Sequence, residues 1–203
     1  MPKRQFEKKF WRSSLFFALS KLGGLPYLAV PKFNYMSIFS EIQQKIMPAA
    51  RAAAQIEAWK QEGETVVFTN GCFDILHYGH LHYLAEAAQL GQRLVVALNA
   101  AASVRRLKGP TRPINDDLTR LHMMAALGFV SLVTTFEEDT PLELITELQP
   151  NVLVKGGDWA PDQIVGSEVV LAGGGAVYSL PFVQGYSTTN IEQKILQQHK
   201  SAS

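Results

Sequence analysis

Short apolar runs alternate with longer amphipathic stretches from residue 63 to the end of the chain. The apolar runs are rich in valine and leucine and end at polar or glycine residues, a pattern typical of strands buried on both faces. Apolar residues recur every three or four positions in the stretches between them, as in amphipathic helices. Strands are predicted at 65–69, 93–98, 130–134, 152–154 and 176–180, and helices at 79–90, 101–107, 116–127, 141–148 and 188–198.

This order of elements predicts the fold class. Strands that alternate with helices favour a parallel sheet, because a helical crossover joins parallel neighbours. We therefore expect an α/β, Rossmann-like domain over residues 63–203, with helices on both faces of the sheet. Ligands in such sheets bind beyond the carboxyl ends of the strands. A helical segment (36–62) precedes this domain; a helix is predicted over 37–61, with Ser40 and Gln43 in the spacing of a capping box.

Residues 1–35 differ from the rest of the chain in charge. They hold seven Lys or Arg and one acid, whereas the whole chain of 203 residues has a net charge of +1. The apolar run at 15–19 is too short to span a bilayer, which takes about 20 residues. We expect a basic leader that is disordered or contacts a membrane surface, or an upstream extension with translation starting at Met36.

The net charge and the single cysteine limit the classes of function and the compartment that are expected for this protein. The near-neutral net charge provides no general attraction to nucleic acid. Cys72 is the only cysteine, so the chain forms no intramolecular disulfide and fits a reducing compartment such as the cytoplasm. We interpret Cys72 as a small residue packed at a strand end rather than as a nucleophile.

The segment 66–80 carries the clearest functional signal in the chain. A predicted strand is followed by Gly71, and His77 and His80 come next, at the start of a predicted helix. The N-terminus of a helix attracts anions through its free N–H groups and its dipole. Gly79 has no Cβ, so a phosphate can approach the backbone closely. This combination predicts a nucleotide-phosphate site.

Other binding motifs are absent or weaker. The chain contains neither GxGxxG nor GxxxxGK[ST]. The glycines at 173–175 precede a predicted strand rather than a helix, which favours a helix end and a turn over a phosphate loop. The remaining histidines, His82, His122 and His199, offer no third ligand at a spacing typical of zinc sites. We therefore predict phosphate binding, and no metal site, at the two histidines.

The residues around these histidines also carry a family resemblance. Gly71-Cys72-Phe73-Asp74 together with His77-Tyr78-Gly79-His80 resembles the HxGH nucleotidyltransferases, the cytidylyltransferase-like superfamily. Five further motifs are similar, in the same order, to the adenylyltransferase domain of ADP-heptose synthase. The resemblance covers about residues 55–195. The five motifs are LKG (107–109), RPIN (112–115), FEEDTP (136–141), VKGGD (154–158) and STTNI (187–191).

The resemblance implies roles for individual residues. His77 and His80 would bind the nucleotide phosphates and stabilise charge on the phosphoryl group under attack. Lys108 would act beside them and reach the triphosphate or the sugar phosphate. Ser187, Thr188 and Thr189 would open the last helix and form a second anion-binding turn that faces the first.

Further residues complete the site that the resemblance implies. Arg120 would also reach a substrate phosphate, and Asp74 would position either its loop or a magnesium ion. The nucleobase and ribose pocket would be lined by Lys155, Gly157 and Asp158, and the remaining nucleotide contacts would be Gly71, Phe73, Gly79 and Asn99. Simpler interpretations stay open for three residues: a helix cap for Ser187, a solvated helix face for Arg120 and a turn residue for Asp158.

By this resemblance the chain is an enzyme, a nucleotidyltransferase. It would convert ATP and D-glycero-β-D-manno-heptose 1-phosphate to ADP-heptose and pyrophosphate, for lipopolysaccharide core synthesis in the cytoplasm. Mg²⁺ would accompany ATP. Members of the family tend to be dimers, so a homodimer is expected.

Two other functions remain open. One is a cytidylyltransferase acting on glycerol 3-phosphate or a related alcohol phosphate, although segment 181–185 lacks the lead-in typical of those enzymes. The other is a nucleotide-binding module without catalysis. It is suggested by Ala100 and Ala101, which follow Asn99 where similar proteins tend to have Ser and Asp.

Overall fold

The structure, a computed structural model, describes residues 37–201, so the leader predicted over residues 1–35 lies outside the described part. Within that part, five strands form one parallel sheet with the spatial order β3-β2-β1-β4-β5. The strands are β1 (Val66–Gly71), β2 (Arg93–Asn99), β3 (Leu132–Phe136), β4 (Val152–Gly156) and β5 (Ala176–Leu180).

Helices connect successive strands, and in the described part of the chain two helices precede β1 and one follows β5. None of the helices between residues 37 and 201 is long and apolar enough to cross a bilayer. They are α1 (Ile38–Gln44), α2 (Ala49–Gln61), α3 (Tyr78–Ala88), α4 (Ala101–Lys108), α5 (Asp117–Ala125), α6 (Leu142–Leu148), α7 (Ser167–Ala172) and α8 (Thr188–Ser201), with a 3₁₀ turn at Pro161–Gln163.

Helices cover both faces of the sheet, which confirms the predicted fold class. Side chains alternate along a strand, so Val66 and Phe68 face one hydrophobic layer and Val67 faces the other. The first layer includes Ile56 of α2, Ile145 of α6 and Val170 of α7, and the second includes Leu84 and Ala87 of α3 and Met124 of α5.

The strand order changes direction between β1 and β4. Strands β1, β2 and β3 follow one another toward one edge of the sheet. The chain then crosses back, and β4 lies on the other side of β1. A crevice opens at the carboxyl ends of the strands where the order reverses in this way. Asn70 and Gly71 end β1 at this crevice, and Lys155 and Gly156 end β4. The topology alone therefore brings these residues to a ligand-binding edge.

The prediction of one helix over 37–61 is wrong. The chain forms α1 and α2, and between them Ile46 pairs in parallel with Val133 at the outer edge of β3. Pro48 accounts for the break, because the residue before a proline avoids the helical conformation. The short extended segment covers an edge of the sheet that would otherwise present unpaired backbone groups.

The predicted capping box at Ser40 and Gln43 is also wrong. The first helix is capped instead by Ser37, whose hydroxyl oxygen accepts a hydrogen bond from the backbone N–H of Ser40 at 3.1 Å. The helical segment packs directly on the α/β domain, because Ile56 and Trp59 of α2 lie in the same core cluster as Phe68.

The 3₁₀ turn and α7 were not predicted, and the other element boundaries differ from prediction by at most three residues. The glycines at 173–175 end α7 and turn into β5, as expected. The N–H groups of Gly173, Gly174 and Gly175 donate to the carbonyls of Val169, Leu171 and Val170. These N–H groups are therefore occupied and do not form a phosphate loop.

Replacing Gly91 by Ala should lower the free energy of unfolding by about 1–3 kcal/mol. A Cβ there would lie 2.6 Å from the carbonyl oxygen of Thr65, which accepts hydrogen bonds from Gln92 and Arg93 at the start of β2. Urea unfolding followed by circular dichroism measures the change.

Gly128→Ala provides the matched control, since no heavy atom lies within 4 Å of a Cβ built there. We expect this variant to be unchanged or more stable by up to about 1 kcal/mol, through reduced entropy of the unfolded chain. Equal stabilities for the two variants would contradict the close contact at Gly91.

Candidate active site

The loop that leaves β1 adopts a conformation that few residues tolerate. Phe73 has a φ of 42°, in the left-handed region. Its ring folds back over Gly71, where a Cβ would lie 2.9 Å from the nearest ring carbon. Glycine at position 71 therefore allows the tight turn that starts the loop toward α3.

Asp74 organises this loop from a buried position, with 3% of its surface exposed. Its carboxylate accepts hydrogen bonds from the backbone N–H groups of Ile114 and Asn115, both at 2.9 Å, and from Arg112 Nη1 at 2.7 Å. Burial raises the pKa of Asp74, but these hydrogen bonds outweigh it and hold the pKa below its usual value. The carboxylate is thus ionised and mostly occupied, which leaves it little capacity to bind a magnesium ion.

His77 and His80 meet at the start of α3. His77 is the N-cap of the helix, and its Nδ1 accepts a hydrogen bond from the backbone N–H of His80 at 3.3 Å. The two rings are stacked, with centroids 3.8 Å apart and planes 20° from parallel. His77 therefore both caps the helix and fixes the plane of the His80 ring.

Both imidazoles are neutral near pH 7. Burial, the neighbouring His77 and the cationic Lys108 lower the pKa of His80 to about 4, against a smaller opposing effect of the Ile75 carbonyl. Burial also lowers the pKa of His77. A neutral imidazole still offers one N–H donor, so each ring can donate to a phosphate oxygen.

A cavity of about 190 Å³ lies beside the His80 ring, at the carboxyl ends of β1 and β4. We call it the histidine cavity, because His80 lines it. It draws on the β1–α3 loop, the end of α4, the end of β4 and the start of α8. The predicted site residues that line it are Gly71, Phe73, Asp74, His80, Lys108, Lys155 and Thr188. His77, which was expected to bind phosphate as well, does not line it and lies instead in a separate hollow with Leu76 and Leu81.

A second cavity of about 290 Å³ adjoins the first and shares Asn70, Gly71 and Lys155 with it. We call it the tryptophan cavity, after Trp159, and it contains the predicted residue Asn99. Lys155 Nζ stands between the two, 3.5 Å from Asn70 Oδ1. Burial lowers the pKa of Lys155. One ammonium group thus faces both cavities.

Arg120 does not fit the expected contact with a substrate phosphate. It is 1% exposed, and its guanidinium donates to the carbonyls of Cys72 at 2.6 Å and Asn99 at 2.8 Å and pairs with Asp117. It lines neither cavity. Arg120 instead fastens the carboxyl ends of β1 and β2 to α5. The alternative interpretation of Arg120, a side chain on a solvated helix face, is also wrong, because the side chain is buried.

Three other predicted residues lie at the margin of the site. Asp158 is exposed and lines neither cavity, consistent with a turn residue. Thr189 lies in a separate hollow with Ile75 and Glu192, outside both cavities. The hydroxyl oxygen of Ser187 accepts a hydrogen bond from the backbone N–H of Asn190 at 3.1 Å, which is the geometry of a helix cap.

Two glycines permit close approaches around the cavities. A Cβ on Gly79 would lie 3.1 Å from both the His77 ring and the Cβ of Tyr186, so glycine lets the start of α3 approach the turn before α8. Gly157 has a φ of 119°, and a Cβ there would lie 2.7 Å from the indole nitrogen of Trp159. The start of α3 and the turn before α8 are therefore close neighbours, and His80 and Thr188 line one cavity.

Sequence reasoning did not identify the roles of Arg112, Asp117 and Trp159. Asp117 is informative because its carboxylate accepts the backbone N–H of Ala101 at 3.1 Å, at the start of α4. The sequence has alanine instead of the expected acid at position 101, but a carboxylate from α5 reaches the same helix terminus. A larger hollow of about 590 Å³ lies at the amino ends of the strands, away from the histidines, and no His, Asp or Glu lines it.

Metal ligands are sparse across the described residues. No group of three His, Cys, Asp or Glu side chains in the range 37–201 is arranged to hold a metal ion. Asp139, which lines the tryptophan cavity, pairs with Arg106 at 2.7 Å. Positive and neutral hydrogen-bond donors therefore outnumber free carboxylates at this edge of the sheet, which suits an anionic ligand.

Replacing His80 by Gln should flatten the pH dependence of stability. The unfolded state binds a proton at His80 near pH 6.5 and the folded state near pH 4. The wild-type protein therefore loses stability as the pH falls below 6.5, by roughly 2 kcal/mol between pH 7 and 5. Urea unfolding at those two pH values measures the loss. A wild-type slope in His80→Gln would contradict the assignment.

Comparisons with known proteins show which proteins this chain is similar to. Proteins named bifunctional protein HldE are similar to this chain: the one from Trichlorobacter lovleyi is 56% identical over 144 residues, covering 71% of this chain and 29% of its own length. The one from Pelobacter propionicus is 46% identical over 183 residues, covering 90% of this chain and 38% of its own. The chain thus spans about a third of the length of these relatives.

The solved structure of the lipopolysaccharide core biosynthesis protein from Thermoplasma volcanium GSS1 is 30% identical, covers 62% of this chain and 100% of its own, and aligns with a TM-score of 0.49. The family model described as cytidylyltransferase-like matches residues 68–194, which is more than half of the chain. The matched range contains His77, His80, Lys108, Lys155 and Thr188. The chain belongs to the cytidylyltransferase-like family.

Proposed function

We propose that this protein is a nucleotidyltransferase that converts ATP and D-glycero-β-D-manno-heptose 1-phosphate to ADP-heptose and pyrophosphate. The observation that carries the proposal is the histidine cavity, where His80, Lys108, Lys155 and Thr188 converge on one space. Membership of the cytidylyltransferase-like family and the similarity to HldE proteins support it.

The reaction transfers a nucleotidyl group between two phosphates. A phosphate oxygen of the sugar 1-phosphate attacks the α-phosphorus of ATP, a new phosphorus–oxygen bond forms, and the bond to the β-phosphate breaks to release pyrophosphate. No side chain needs to form a covalent intermediate. Such a transfer depends on positioning the two substrates and on stabilising the charge that develops on the phosphoryl oxygens.

The donors of the histidine cavity match this requirement. The N–H of His80 would donate to the phosphoryl group under attack, and its orientation is set by the stacked ring of His77. The ammonium groups of Lys108 and Lys155 would balance the charge of the triphosphate. Thr188 is the first residue of α8. Its backbone N–H and hydroxyl groups would bind a second phosphate.

The tryptophan cavity gives space for an organic part of the substrates. Its walls combine apolar side chains, such as Ile164 and Val165, with the polar groups of Asn70, Asn99 and Lys155. The backbone around Gly157 lies beside it, so we retain the assignment of Gly157 to the nucleoside end. Lys155 lines both cavities and would lie between the nucleoside and the triphosphate.

Magnesium is proposed to enter as part of the substrate. Mg²⁺ is commonly held by substrate phosphates, waters and one or two carboxylates rather than by a protein cage. Asp74 is engaged by Arg112 and two backbone N–H groups, so we assign it to loop positioning. A homodimer in the cytoplasm remains a prediction.

A pyrophosphate-release assay on the purified chain tests the proposed function. Release should require ATP together with the heptose 1-phosphate and Mg²⁺. Release with CTP and glycerol 3-phosphate instead would favour a cytidylyltransferase, and nucleotide binding without any release would favour a module without catalysis. Either outcome would reject the proposed reaction.

Single substitutions of the two histidines should slow turnover with an intact fold. A charge-assisted hydrogen bond contributes about 1.5–3 kcal/mol. If His80 makes that contact mainly in the transition state, His80→Ala lowers kcat by roughly 10- to 150-fold. We expect His77→Ala to lower kcat in the same range, because His77 fixes the His80 ring.

His82→Ala is the matched control for these variants. It removes an imidazole from the same helix, but its side chain is 40% exposed, lies 3.5 Å from Glu86 Oε2 and lines neither cavity. Its kcat should remain at the wild-type value. Wild-type turnover in His77→Ala and His80→Ala would refute the assignment of the site.

A further inference from the structure

The last helix carries part of the proposed site but is weakly packed. Thr188 opens α8 and lines the histidine cavity. None of the residues 188–199 is buried, and the apolar side chains of Ile195 and Leu196 are exposed. Helices in proteins are stabilised mostly by packing an apolar face. The position of α8 therefore depends on polar contacts near its start.

Arg112 makes such a contact. Its Nη1 donates to Asp74 Oδ2 at 2.7 Å, and its Nη2 pairs with Glu192 Oε1 on α8. The Arg112 side chain is 14% exposed and that of Glu192 is 35% exposed. Arg112 lines neither cavity, so its guanidinium is shared between two carboxylates from separate elements rather than presented to a substrate.

Both carboxylates are closely linked to residues of the proposed site. Glu192 lies four residues after Thr188, so the two project from the same face of α8. Asp74 lies three residues before His77, in the loop that leads to both histidines. A guanidinium that joins the two carboxylates therefore fixes the distance between the start of α8 and the start of α3.

We propose that Arg112 is a positioning residue, which holds Thr188 against His80 by bridging Glu192 on α8 and Asp74 in the β1–α3 loop. This inference rests on the proposed function, in which Thr188 and His80 bind phosphates of one nucleotide. Arginine suits the role because its planar guanidinium holds two acceptors in a fixed geometry, whereas the ammonium of a lysine is a point charge on a flexible stem.

The test compares Glu192→Gln with Glu143→Gln in the full chain. Glu143 is exposed on α6 and lies outside the cavities, so the same change of side chain there should have no effect. In Glu192→Gln, the KM for ATP should rise roughly 5- to 30-fold, the effect of losing one partly exposed charged contact. The kcat should change little, because a contact made equally in the ground and transition states affects binding alone.

Amide hydrogen exchange provides a second readout that does not depend on activity. Exchange over residues 188–199 should accelerate by roughly 5- to 30-fold in Glu192→Gln and in Arg112→Lys, while the amides of the sheet keep their wild-type protection. A KM within twofold of Glu143→Gln, or unchanged exchange in α8, would overturn the role of Arg112. If the wild type releases no pyrophosphate, the proposed function fails, and the exchange comparison still decides whether Arg112 holds α8.

Discussion

Asp74 places a negative charge where water hardly reaches, and the surrounding chain is arranged to compensate it. A buried carboxylate is costly unless hydrogen bonds and an opposite charge replace its hydration. Two backbone N–H groups from the segment after α4 and the guanidinium of Arg112 supply both. Asn115 Nδ2 also donates to the backbone carbonyl of Asp74. The segment before α3, which carries His80, and the segment after α4, which ends at Lys108, are therefore held together by one carboxylate, and the histidine cavity depends on it.

The fold was largely predictable because it rests on patterns that act locally. Buried strands such as β1 and β2 appear as short apolar runs, and the helices between them end at glycine or proline. The predictions failed where tertiary contacts decide the outcome. Ile46 leaves a helix-favouring stretch to pair with Val133, and α7 is too short for its period to be recognised.

The site was only partly predictable for a related reason. The spacing of His77 and His80 at a helix start indicates a phosphate site by itself, and Lys108, Lys155 and Thr188 follow from the family motifs. A motif does not distinguish a residue that binds substrate from a residue that holds the substrate-binding residues in place. Arg120 shows this, because an arginine expected at the substrate is buried against the carbonyls of Cys72 and Asn99. Burial and hydrogen-bond partners, which only the folded chain reveals, separate the two roles.

The pairing of Ile46 with Val133 has a consequence for association between molecules. Two hydrogen bonds, from Met47 to Val133 and from Val133 to Lys45, occupy the outer rim of β3. An open rim of a sheet is a template on which strands of other molecules can assemble. The residues before α2 therefore protect one edge of the sheet from pairing with strands of other molecules. Within the described part of the chain, this protection belongs to β3 and has no counterpart of the same kind at β5.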